Sequence, residues 1–161
     1  RLIIIIKAGM KSYANTYQEI MNNSNFIILN NSSKYVFYKS NYPIEFTNIK
    51  DFNNIDSALL VDENISPCFY IFLLQQPDDI EQILTTNLNV DLLMSGYSLG
   101  GIINIPFVGP IIKKDGAKTY LNGYYKVDSY NLYVNNGIGT NKYKIRLFNT
   151  PSINVYRLKT D

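Results

Sequence analysis

The order of apolar runs predicts an α/β (α+β) fold in which packed β-sheets are flanked by helices. Three observations carry this reading. Leu2-Ile3-Ile4-Ile5-Ile6 and Cys68 to Leu74 are continuous apolar runs, the pattern of strands buried on both faces. Between them, Ala14, Tyr17, Ile20 and Met21 recur at helical spacing. The first half of the chain alternates strand and helix and the second half is mostly strand, an order that places helices over one or both faces of sheets.

Taken in order, the first run is a strand, followed by a polar turn around Lys7 to Lys11. Ser12 to Asn22 reads as an amphipathic helix, stopped by Asn22-Asn23-Ser24-Asn25. Phe26 to Leu29 is a short strand and Asn30-Asn31-Ser32-Ser33 a turn. Tyr35 to Tyr38 and Ile44 to Phe46 read as strands, with a short helix near Ile55 to Leu60. Cys68 to Leu74 ends at Gln75-Gln76-Pro77-Asp78. Proline suits a first helical turn and early acids suit its positive end, so Asp78 to Thr86 is expected to be helical. Val90 to Gly96 is the next strand. Ile102 to Ile112, broken by Pro106, Gly109 and Pro110, is loop or broken strand. Tyr120 to Val127 and Leu132 to Asn135 form a hairpin about Asp128-Ser129-Tyr130-Asn131. Lys144 to Phe148 and Ile153 to Leu158 complete a β-rich tail. No repeat or linker interrupts residues 1–161, so one domain is expected.

Composition removes several functions. With 46% hydrophobic and 17% charged residues the chain is globular rather than disordered. The net charge is only +2 and the basic residues are scattered, so no nucleic-acid partner is expected. There is no histidine, which withdraws the commonest transition-metal ligand and the commonest general base. The single cysteine, Cys68, excludes an intrachain disulfide and reads as a structural thiol. No apolar run has the length of a membrane span, so membrane association is expected only through sequence upstream of Arg1.

The stretch from Asn89 to Gly101 stands out. An apolar run, Val90 to Met94, leads into Ser95-Gly96-Tyr97-Ser98-Leu99-Gly100-Gly101. Glycines at the end of a buried strand make a tight loop, a common place for chemistry. Tyr97, Ser98 and Leu99 nevertheless bring no metal ligand and no strong acid or base.

This stretch, with Ile105-Pro106-Phe107, Gly109-Pro110, Leu132-Tyr133-Val134-Asn135-Asn136-Gly137-Ile138-Gly139, Arg146 and Pro151-Ser152-Ile153, resembles the late part of the calcineurin-like metallophosphoesterases. The bacterial branch often found membrane-anchored is the nearest match. The resemblance is strong from about Asp91 to Leu158 and weaker towards the N-terminus. It implies a C-terminal portion of that fold, two packed sheets flanked by helices, with the first strands missing. It also implies a site where two metal ions clamp a phosphate and generate the attacking hydroxide. Carried over, the family's two loop histidines fall on Tyr97 and Leu99. A further histidine falls on Gln75, within Leu73-Leu74-Gln75-Gln76-Pro77-Asp78. Gly9-Met10-Lys11-Ser12 would place Met10 at a bridging asparagine and Lys11 at a catalytic histidine.

Neutral leucine, glutamine and an un-ionised tyrosine are poor ligands for such metals. The expected function is therefore a non-catalytic, degenerate phosphoesterase-like domain without cofactor, acting on an unknown protein partner or by self-association. The alternative is a phosphoesterase using two divalent metal ions, completed by residues upstream of Arg1 or by another subunit. Arg146 and Lys11 are candidates for holding an anion, against a plain salt bridge. Asp51, Asp56, Asp62 and Glu63 could form a hard-cation site, against a solvated surface. The compartment is not legible in the sequence.

Overall fold

In the computed structural model of the chain, the described residues are 2–5, 14–59, 64–67, 69–140 and 144–159. They group into two compact units. The first contains Arg1–Gln75 and Asn87–Leu93, the second Gln76–Thr86 and Met94–Asp161.

The first unit begins with β1 (Leu2–Ile5), α1 (Ala14–Asn23) and β2 (Phe26–Leu29). β1 and β2 pair in parallel, Leu2 opposite Phe26 and Ile5 opposite Leu29, with the helix in the crossover between them. A mixed sheet follows. β3 (Ser32–Val36) lies antiparallel to β4 (Ile44–Ile49), and β4 parallel to β5 (Phe69–Leu74). A 3-10 helix at Phe52–Ser57 connects β4 onward, its start capped by the Asp51 carboxylate accepting from the Asn53 N–H at 3.1 Å. β6 (Leu92–Ser95) gives its first two residues to this unit and its last two to the second. Mixed sheet with few helices places the chain in the α/β class.

The two continuous apolar runs are strands. Ile71, Phe72, Leu73 and Leu74 are all buried, as a strand covered on both faces requires. β4 runs to Ile49, past the expected end at Phe46, because its polar residues are bonded inside. Asn48 is 2% exposed; its amide donates to the Leu73 carbonyl at 2.9 Å, and its oxygen accepts from the Asn31 N–H at 3.3 Å. Thr47 bonds Ser33 at 2.6 Å and Glu45 at 2.9 Å. Ser32 and Ser33, expected in a turn, are therefore strand residues opposite Asn48 and Thr47. Phe37 and Tyr38, expected in the strand, lie beyond it and are exposed. The helix expected over Ile55 to Leu60 is the 3-10 turn, and Leu60 falls outside the described residues, as do Cys68, Met10 and Lys11.

The second unit starts with a 3-10 turn, Pro77–Asp79, and a single α-turn, α2 (Ile80–Ile83), shorter than the helix expected to Thr86. β7 (Asn104–Ile105) and β8 (Gly109–Pro110) make the small hairpin inside the broken apolar stretch. β9 (Gly123–Val127) and β10 (Tyr130–Val134) pair antiparallel about Asp128 and Ser129. Asp128 takes the positive φ that such a short hairpin turn requires. The Asn135 N–H just after β10 donates to the Ser95 carbonyl at 2.9 Å, fixing that segment beside the end of β6.

The tail contains no strand. Residues 144–159 hold only an isolated bridge from Leu147 to Ile103, and Ile153 and Val155 face solvent. β-propensity produces a strand only where a neighbour accepts the ladder.

The Asn48 amide supports a direct test. Asn48→Ala leaves the Leu73 carbonyl and the Asn31 N–H without their partner. We expect a loss of about 1–3 kcal/mol in urea unfolding, with no change in the slope.

Candidate functional site

The loop after β6 is two tight turns in succession. The Ser98 N–H donates to the Gly96 carbonyl at 2.7 Å across Tyr97, whose φ is +66°. That is a γ-turn of the rare positive-φ form. The Gly101 N–H then donates to the Ser98 carbonyl at 3.2 Å around Leu99 and Gly100, both at positive φ. Gly100 also needs its missing side chain, because a Cβ there would lie 2.7 Å from the Asn136 side chain. Strained backbone of this kind persists only where its surroundings over-determine it.

Those surroundings can be named. Ser98 is fully buried; its hydroxyl donates to the Leu121 carbonyl and accepts from the Gly100 N–H at 3.1 Å. The Asn149 amide donates to the carbonyls of Leu99 and Gly101. Arg146 Nη2 donates to the carbonyls of Leu99 at 2.9 Å and Asn136 at 3.0 Å, while Nη1 donates to Gly137 at 2.8 Å and Gly139 at 3.0 Å. One planar guanidinium thus ties the loop at 99 to the glycine turn at 136–139.

The candidate residues fall as follows. Tyr97 and Leu99 share the loop. The Lys114 ammonium sits over the Tyr97 ring, 4.2 Å from its centroid, and donates to the Tyr97 carbonyl at 2.9 Å. Arg146, the anion-binding candidate, directs its fork at main-chain carbonyls; its Nε is buried without a partner among the described residues. Gln75 follows β5 in the first unit, its amide nitrogen also buried without a partner among the described residues. Met10 and Lys11 lie outside the described residues.

Asp78 does more than favour the start of its helix. Its carboxylate accepts from the N–H groups of Lys118 at 2.6 Å and of Thr119 and Tyr120 at 3.1 Å. In return the Asp78 N–H donates to the Gly116 carbonyl at 3.1 Å. Beside it the Tyr120 hydroxyl donates to Glu81 at 2.7 Å, and burial together with that carboxylate pushes the Tyr120 phenol up to about 12. Of the four-acid group, Asp51 caps the 3-10 helix, Asp56 is exposed, and Asp62 and Glu63 are outside the described residues.

The donor chemistry does not fit a transition-metal pair. Among the described residues no three histidine, cysteine, aspartate or glutamate side chains converge. The loop that would present ligands presents a phenol and an isobutyl group, with an ammonium at its ring and a guanidinium at its carbonyl. Fixed positive charge there opposes a divalent cation. Sequence reasoning missed Lys114, Ser98 and Asn149. Lys114 stands 17 residues from Tyr97 and Asn149 stands 50 from Leu99. The sequence pattern gives neither pairing away.

Two expectations follow. Arg146→Lys keeps the charge but not the planar fork. It should cost about 1.5–3 kcal/mol and speed amide exchange at 97–101 and 136–139, read by hydrogen exchange. Tyr120 has its folded pKa above the unfolded value of 10.0, so its contribution is complete below pH 10 and is lost as pH rises towards 12. Subtracting the stability profile of Tyr120→Phe from that of the wild type should show a decline confined to that alkaline window.

No protein-family model matches the chain, and no solved structure matches it. It is similar to the uncharacterized metallophosphoesterase YkuE of Bacillus subtilis (strain 168), with 31% identity over 146 residues. The match covers 89% of this chain and 50% of YkuE, so the chain spans about half the length of that relative. The similarity takes in nearly all of the chain. With it, the chain belongs to the metallophosphoesterase family and is a phosphoesterase-like domain.

Proposed function

We propose that this phosphoesterase-like domain is not a metal-dependent hydrolase through its own residues, and that it acts as an interaction or scaffold module on the frame of its family. The Lys114 ammonium against Tyr97 carries the reading. A cation held 4.2 Å from the ring by a bond to the same residue's carbonyl places positive charge where the family resemblance sets a metal ligand. Leu99 supports it, since its side chain has no lone pair to offer. Its carbonyl is shared between Arg146 and Asn149.

In this reading the glycines and buried strands are retained because they build the surface, and the ligand positions have been refilled with groups that hold the loop together. A partner would be a protein or a second copy of the chain.

The test is metal content and turnover together. Purified chain is exchanged into manganese, zinc or ferrous iron, desalted, and assayed on an aryl phosphate and an aryl phosphodiester. We expect metal well below one equivalent and no chelator-sensitive hydrolysis. Stoichiometric metal with turnover abolished by chelator would overturn the proposal and favour a divergent phosphoesterase.

A further inference from the structure

The hairpin of β7 and β8 in the second unit has an apolar tip that nothing among the described residues covers. Its turn is closed by the Val108 N–H donating to the Ile105 carbonyl at 3.1 Å, with Pro106 and Phe107 at the centre. Proline first and a φ of +68° second is the pattern of a type II turn, whose second central position calls for glycine or asparagine. Phenylalanine stands there instead, in a backbone region that bulky side chains avoid. Phe107 is fully exposed and Val108 is 75% exposed. Phe148, 68% exposed, lines the same open depression as these two and Ile105. Single exposed apolar residues are ordinary, but a contiguous group on a projecting turn marks a contact surface.

The charge of the chain is divided unevenly around this feature. The second unit carries nine lysines and arginines against six acids, a net +3, whereas the first carries six against seven, a net −1. Lys113 lies three positions after β8 and Lys144 precedes Phe148 by four positions; both are exposed. A knob of this shape needs a complementary pocket to dock on a folded protein. A fluid bilayer boundary supplies none and requires none.

We propose that this face of the second unit docks on an anionic lipid surface. Phe107 and Val108 enter the headgroup boundary, and the net positive charge of the second unit supplies the attraction to lipid phosphates. This is independent of whether the loop at 96–101 hydrolyses anything.

The experiment is cosedimentation of the full chain with vesicles of phosphatidylcholine alone and of phosphatidylcholine with phosphatidylglycerol. Binding is expected on the anionic vesicles only, weakening as salt is raised. Phe107→Gly removes the ring and gives the turn the residue its geometry favours. It should weaken vesicle binding by about tenfold or more while leaving the thermal midpoint equal or higher. Lys113→Gln should weaken binding by up to about fivefold without altering stability. The proposal is overturned by absence of binding, by equal binding to neutral vesicles, or by full binding of Phe107→Gly. It is also overturned if light scattering shows that Phe107→Gly turns a dimer into a monomer while vesicles stay unbound, which would make the face a contact between copies.

Discussion

Backbone polar groups inside a protein must find partners, and in the second unit one side chain satisfies four of them. Arg146 gathers the carbonyls of Leu99, Asn136, Gly137 and Gly139. Tight turns that run through positive φ point their carbonyls outward from the turn, where no strand ladder can take them. A planar fork with several donors answers that geometry; an ammonium does not. Asn149 on the carbonyls of Leu99 and Gly101, and Ser98 on that of Leu121, complete the set. The γ-turn at Tyr97 and the turn at Leu99 and Gly100 hold their strained conformations because these partners leave few alternatives.

The same constraint brings cations to this loop from the chain's own side chains: Lys114 at the Tyr97 ring and carbonyl, Arg146 at the Leu99 carbonyl. A neighbouring device works by the opposite charge. Asp78 collects the N–H groups of Lys118, Thr119 and Tyr120, the way a carboxylate caps a helix, but across about forty residues of chain. Gly116 lies against Gln76 so closely that a Cβ there would come within 2.0 Å of its amide oxygen. Loop order in this unit is thus a matter of side chains reaching main chain rather than of sheet pairing.

Legibility differed by element for physical reasons. β5 was readable because a strand buried on both faces must be apolar throughout, and little else in a short run looks like it. β4 was readable only to Phe46, because Thr47 and Asn48 look like the end of a strand. They are buried by bonds to Ser33 and the Leu73 carbonyl, which sequence order does not display. The tail failed in the other direction. Ile153 and Val155 favour a strand, but no neighbouring strand accepts the ladder there. In the loop after β6, Tyr97 and Leu99 could be singled out as candidates by their place in a motif, whereas the partners Lys114 and Asn149, and the bond of Ser98 to the Leu121 carbonyl, could not, since they lie at a distance in sequence.

By itself the sequence determined the strand and helix repertoire of the early chain, the glycine loop after β6, and the absence of imidazole from residues 1–161. Those follow from local patterns and from composition, which folding cannot alter. Tertiary structure alone decided which polar residues are interior, that Arg146 reaches four main-chain carbonyls, and that Lys114 lies on Tyr97. Each depends on bringing together groups far apart along the chain, and only the folded arrangement of carbonyls and rings determines where a long cationic side chain comes to rest.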